Sequence, residues 1–377
     1  MSYHDDLRPR RRPWLIALPL ILVLALAAAW TALWFYAAGE AEARLVDWQT
    51  QQAKGGRTFA CASQSVGGYP FRIEVRCADP VVELKDAQPP ISLRLKEILA
   101  VSQVWDPKLI IAEFTGPMTV SDPGSAPYVT ASWSLAQASV RGTPEKPERA
   151  AIVTDGLRLQ GAAPGNLLLF DAKHAEVHAR VQFGSWPANP AIDLAVNLAG
   201  AAAPGIHPMA AQPFDADVLA VLHGMKDLSP KPFPVRLREW QAAGGRLEIQ
   251  KARLAQGDAL ASTTGTLALS QRGAVDGALQ ITAAGIERFL PTLGGAGAPT
   301  LSLDRAAPAL NAIERAVPGL AGRIAPPQQQ SLQAGLLGLL GQPAEIEGKR
   351  GISMPVRFTD GAASLGPIPV GKVPPLF

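Results

Sequence analysis

The chain has 377 residues, 18% of them charged, and a formal net charge of +3. No basic stripe interleaved with aromatics runs along it, so nucleic-acid binding is not expected. Its 35 glycines and 34 prolines, about 18% together against about 12% in average usage, predict many turns without reaching a low-complexity composition.

The first predicted element is a membrane anchor. Residues 1–13 form a basic arm in which Arg8, Arg10, Arg11 and Arg12 outnumber Asp5 and Asp6. From Trp14 to Ala38 no charge occurs, and about 25 residues of helix span a hydrocarbon core of about 30 Å with some tilt. Trp14 stands at one end and Trp34 with Tyr36 near the other, where amphipathic rings favour the interface. Arg10, Arg11 and Arg12 before the span place residues 1–13 in the cytoplasm and the rest across the membrane. A cleaved signal peptide has a shorter apolar core of about 7–15 residues, so an uncleaved anchor is preferred. The "RRPWL" stretch resembles a twin-arginine export signal only weakly.

Residues 39–56 continue as a helical stalk that Gly55 and Gly56 end, as in a C-terminal cap. A stalk lifting the domain off the bilayer is preferred here to a self-association helix, because the apolar stripe is narrow. Only two cysteines follow, Cys61 and Cys77. In an oxidising compartment such as the bacterial periplasm they are expected to pair. Neither a Cys-x-x-Cys redox pair nor further zinc ligands accompany them.

Between them lies "GGYPFRIEVRC", where Phe71, Ile73, Val75 and Cys77 share one strand face and Arg72, Glu74 and Arg76 the other. The glycines and proline predict a hairpin connection from the preceding "TFAC". Arg72 and Arg76 are candidate contacts for anionic lipid headgroups, set against a solvated face paired with Glu74.

Alternating segments then recur over 80–85, 91–105, 109–114, 117–121, 128–142, 150–160, 167–181 and 191–200. "PFDADVLAVLHGM" and "VRLREWQAAGG" are predicted as helical. Strand patterning returns over 246–257, 259–273 and 277–285. Two or three helical pieces follow within 286–341, then strands to the end. The Asp-Gly pairs at 155–156, 276–277 and 360–361 read as hairpin turns.

The predicted architecture is therefore mainly β with some α. An N-terminal transmembrane helix (14–38) and stalk (39–56) precede long, curved antiparallel sheet. The sheet divides into halves at 57–205 and 235–377, joined by a helical or loop connection over 206–234.

The order of these features resembles the bacterial domain of unknown function 2125 family. It comprises a single span, a helix carrying a Trp, a Cys, then Gly68, Tyr69, Pro70, Phe71 and Arg72, and a second Cys. "EWQAAGGRLEIQKARLAQGDALASTTGTLALSQRGAVDGALQI" (Glu239–Ile281) and "RFTDGAASLGPIPVGKVPPL" (Arg357–Leu376) extend the resemblance over nearly the whole chain. It implies a topology and no mechanism. Residues Gly245–Gly285 are also similar, more distantly, to AsmA-like envelope proteins. That likeness implies a lipid-handling or envelope-maintenance role on a sheet with an apolar groove.

For chemistry, the one candidate is "HAEVH", which on a strand puts His174, Glu176 and His178 on one face. The two histidines would lie about 13 Å apart, and the spacing is not that of a helical zinc-protease motif. A wet polar face explains it better than a metal site. No nucleophile elbow or phosphate-cradling loop is present, so no enzymatic activity and no cofactor are expected. The expected partners are inner-membrane lipid, a lipid or other apolar ligand on the sheet, and envelope proteins. The alternative is an envelope scaffold with a filled core, and a metal-dependent hydrolase stands behind both.

Overall fold

The structure is a computed structural model. It describes residues 14–87, 89–143, 146–162, 167–182, 184–185, 190–205, 208–228, 231–285, 341–365 and 368–377. Span and stalk are one helix, α1 (Trp14–Lys54), long and apolar enough to cross a membrane. Gly55 and Gly56 end it, their N–H groups donating to the carbonyls of Gln52 and Ala53, with Gly56 at φ +81°. That conformation suits a helix C-terminus because glycine has no Cβ to clash there.

The described strands after α1 all belong to one antiparallel sheet in which successive lengths of chain are neighbours. The first ten strands come in collinear pairs, each pair being one long strand broken in its middle. They are β1 (Arg57–Ala60) with β2 (Ser63–Gly67), β3 (Arg72–Ala78) with β4 (Val81–Leu84), and β5 (Ile91–Arg94) with β6 (Glu97–Gln103). β7 (Asp106–Thr115) with β8 (Met118–Ser121) and β9 (Val129–Ser132) with β10 (Leu135–Gly142) complete the set. One ladder runs β2–β3–β6–β7–β10 and the other β1–β4–β5–β8–β9. Both meet the long β11 (Pro147–Gly161).

The breaks line up as a crease across the sheet. Backbone hydrogen bonds still cross it, from Asp79 N–H to Lys96 O at 2.8 Å and from Ser134 N–H to Asp155 O at 2.9 Å. Trp133 lies in the crease, its indole N–H donating to Phe114 O at 2.8 Å. Its ring occupies the space a side chain at Gly116 would need. The crease ends in β11 at Gly156, whose φ is +61°.

Beyond β11 the meander continues through β12 (Leu168–Val181), β13 (Ala191–Ala201), β14 (Phe214–His223), β15 (Arg246–Gln256), β16 (Ala259–Leu269) and β17 (Val275–Ala284). Then β17 pairs with β19 (Lys349–Thr359), which is flanked by β18 (Gln342–Ile346) and β20 (Ala362–Leu365); β21 (Ile368–Lys372) follows. Among the described residues one further α-helix, α2 (Phe233–Ala242), packs at the β14–β15 connection. There Trp240 is buried and donates from its indole to His223 O at 2.6 Å.

Several expectations change. The segment predicted as helical at 214–225, within the supposed helical or loop connection over 206–234, is strand β14, paired on both sides. Its alternation of Phe214, Ala216, Val218, Ala220 and Leu222 was present, but Leu219 and Val221 between them imitate a helical stripe. The partner of β3 is β2 and not "TFAC", which pairs with β4. The segment 91–105 is two strands, broken at the crease. Asp155–Gly156 and Asp276–Gly277 lie inside strands, whereas Asp360–Gly361, with φ +48° and +80°, is the predicted hairpin turn. The helices predicted within 286–341 lie almost wholly outside the described residues, as do Arg10, Arg11 and Arg12. "VRLREWQAAGG" is helical as expected, and Cys61 is bonded to Cys77, with Cα atoms 5.4 Å apart.

Candidate functional site: an apolar sheet face and an aromatic clasp

Because side chains alternate across a strand and neighbouring strands keep register, each row of cross-strand partners lies on one face. One row reads Val66, Val75, Ala100, Ala112, Ala138, Ile152, Val177, Val196, Val218 and Ala252, one residue from each of ten successive strands. Thr263 interrupts it, and Ile281 and Met354 resume it. The row two residues along contains Ile110, Val140, Ala150, Ala179, Leu194, Ala220 and Ile249. At about 4.8 Å per strand, ten strands carry this apolar face over about 45 Å.

The face is not buried throughout. Ala220 is 5% exposed, but Ile110, Val140, Ile152 and Val177 are 48%, 49%, 55% and 45% exposed. Covering four half-exposed side chains of this size would be worth about 1 kcal/mol each.

The opposite face carries most of the charged and polar groups, although Ile111 and Leu219 lie on it in the same row as His178. Asp155, on β11, lies directly across from His174 on β12 and meets its Nδ1 at 2.6 Å. The other ring nitrogen, Nε2, meets Glu176 at 2.6 Å, and the second oxygen of Glu176 meets His178 Nε2 at 2.8 Å. His174, Glu176 and His178 are thus brought together as the strand pattern required, and Asp155 joins them. Sequence reading missed Asp155 because its Asp-Gly neighbourhood signalled a turn. The hydrogen bond that the ring donates to Asp155, aided by the one to Glu176, holds the His174 pKa above its ordinary value. His178 and then His174 hold the Glu176 carboxyl below its own. The Glu176 carboxylate is shared between the two rings, and among the described residues no group of three His, Cys, Asp or Glu has an arrangement that would hold a metal ion. The chain of four ties β12 to β11 on a wet surface. Farther along this face a depression of about 710 Å³ is lined by Arg149, His178, Arg180 and Asp193 together with apolar residues that include Ala151, Ala195 and Leu219. Arg180 is paired with Asp193 at 2.7 Å.

The motif 68–72 has a different position. It forms the β2–β3 turn and clasps α1 from the side. Trp30 Nε1 donates to Pro70 O and Trp34 Nε1 to Arg72 O, both at 2.8 Å. Thr31 Oγ1 and the Tyr69 hydroxyl are 2.8 Å apart. Tyr69 meets Trp34 edge-on at 5.4 Å and lies near-parallel to Phe35 at 6.3 Å. Phe71 bridges Trp30 and, on the β6–β7 turn, Trp105. Gly68 belongs to the same turn: its φ is +94°, and a Cβ there would meet Arg72 O at 2.7 Å. Trp34 is only 5% exposed, whereas Tyr36 faces outward. Arg72 is paired with Glu74 at 2.5 Å and Arg76 with Glu97 at 2.6 Å, so both candidate headgroup contacts already have carboxylate partners.

Fold and site together define a β-rich protein with one N-terminal apolar helix compatible with membrane anchoring, joined by an aromatic clasp to a large antiparallel sheet. The chain belongs to the bacterial family described as "Uncharacterized protein conserved in bacteria (DUF2125)", which it matches over residues 34–374. No curated protein matches it.

Proposed function

We propose that this is an inner-membrane protein with residues 1–13 in the cytoplasm and its sheet in the periplasm. The sheet binds the acyl part of a lipid, or another apolar envelope component, on its apolar face. The observation that supports this most is the row of apolar partners across ten strands, with Ile152 and Val177 half exposed within it. Arginines before the span favour this orientation, and the Cys61–Cys77 bond suits an oxidising compartment.

The test is photo-crosslinking in the full-length, membrane-inserted chain. A benzophenone side chain replacing Ile152 is expected to capture phospholipid, and one replacing His178, on the opposite face, is not. Absence of a lipid adduct at 152, or equal capture at both positions, would overturn the proposal.

A second reading, an envelope scaffold recruiting partner proteins, is favoured by the depression around Arg149 and Arg180 on the polar face. It predicts protein adducts from position 178 and no lipid from position 152.

A further inference from the structure

We infer that the tip of the sheet formed by the Tyr69–Phe71 turn and the adjoining Trp105 turn is seated in the bilayer interface where α1 leaves the membrane. The apolar sheet face then starts at the lipid surface itself. The inference rests on reading α1 as a membrane span, and not on any lipid being held by the sheet.

Depth comes first. Trp14 to Trp34 is about 30 Å of helix at 1.5 Å per residue, the thickness of the hydrocarbon core. Trp34 therefore lies at the far boundary when Trp14 lies at the near one, and Trp30 lies one turn deeper. The hydrogen bonds from Trp30 to Pro70 and from Trp34 to Arg72 hold the β2–β3 turn at those same levels.

Chain lengths agree with this placement. From Trp34 to Lys54, α1 rises about 30 Å, while β1 and β2, from Arg57 to Gly67, return about 33 Å at the rise of an extended strand. Trp48 packs on Phe59 at 4.6 Å, so the returning strand runs back along the helix. The stalk thus does not lift the domain away; the chain climbs and comes back to the membrane.

Side-chain chemistry supplies the third argument. Tyr69, Phe71 and Trp105 are 53%, 59% and 61% exposed, and Tyr69 adjoins Phe35, which is 64% exposed, on the helix. A contiguous exposed aromatic patch beside an apolar span matches the amphipathic belt that interfaces select. The Val104 N–H donates to Phe71 O at 3.2 Å, which locks the two turns together as one tip.

The test uses the full chain in phosphatidylcholine vesicles. The described cysteines are disulfide-bonded, so a fluorescent label reacts with an introduced cysteine alone. Labels are placed at Trp105→Cys and, separately, at Phe71→Cys, with Glu347→Cys in the β18–β19 turn as reference. Phosphatidylcholine carrying a doxyl group near the head of its acyl chain is expected to remove about half or more of the emission at 105 and 71, and little at 347. Membrane-retained protein whose labels at 105 and 71 respond only to aqueous iodide would overturn the inference while leaving the span intact. Release of the protein by alkaline carbonate would overturn the anchor reading and this inference together.

Discussion

The indole of Trp34 donates to the main-chain carbonyl of Arg72 at 2.8 Å, joining helix and sheet across 38 residues of sequence. Trp34 is almost fully buried there and packs edge-on against Tyr69. Replacing it by Phe keeps most of the ring contact but strands the Arg72 carbonyl, at a cost of about 1–3 kcal/mol. Trp34→Ala also empties the site and is expected to lose about 3–5 kcal/mol. Urea unfolding of the detergent-solubilised chain reads both, and equal midpoints for Phe and wild type would remove the hydrogen bond from the account.

The disulfide closes a short loop at the crease, with Cys61 and Cys77 separated by 16 residues. By the chain-entropy argument a loop of this size contributes about 3 kcal/mol. Cys61→Ser with Cys77→Ser is expected to lower the urea midpoint accordingly. Reductant should shift the wild type to the same value and leave the double variant unmoved.

On the polar face, His174 titrates above its model-compound value of 6.5, and Glu176 below its value of 4.5. The histidine's contribution to stability is complete below its unfolded pKa and is lost as pH rises through the higher folded value. The glutamate's contribution is present above its unfolded pKa and is lost as pH falls through the lower folded value. Together they stabilise most between about pH 4.5 and 6.5. Proton NMR of the His174 ring should show a midpoint above 6.5 that falls in Asp155→Asn. An unchanged midpoint would mean that the 2.6 Å contact does not govern the titration.

Ile152 and Val177 face each other across β11 and β12, each about half exposed. Changing both to Asn is expected to alter stability by no more than about 2 kcal/mol, since much of their burial is not realised in the free protein. Native mass spectrometry should then show several-fold less co-purifying lipid. Undiminished lipid would place it elsewhere on the protein.

Gly245 stands against the ring of Trp240, so a Cβ added there would overlap the indole. Gly245→Ala is expected to cost about 1–3 kcal/mol as an overpacked site. A quenched or red-shifted tryptophan emission should accompany it if α2 is pushed off the sheet.

Much of this could be read from residue order. The apolar run, the two cysteines and the helix-ending glycines are local features whose physics needs no distant partner. Alternation likewise announced most strands and the placement of His174, Glu176 and His178 on one face. Misreadings arose where local chemistry supports two outcomes. Asp155–Gly156 carries the chemistry of a hairpin turn, yet its glycine provides the positive φ that ends the crease inside a strand. The sequence from Phe214 to His223 holds enough apolar residues to satisfy either period, and pairing on both sides settles it as strand.

By itself, the sequence determined that the chain carries an apolar helix, a disulfide and strands with one oily face, because spacing and charge act within a few residues. Only the tertiary structure decided that those faces align into one continuous surface, because register is set between strands. It alone also decided that Gly68 to Arg72 grips Trp30 and Trp34, since that contact forms only when the chain climbs α1 and folds back beside it.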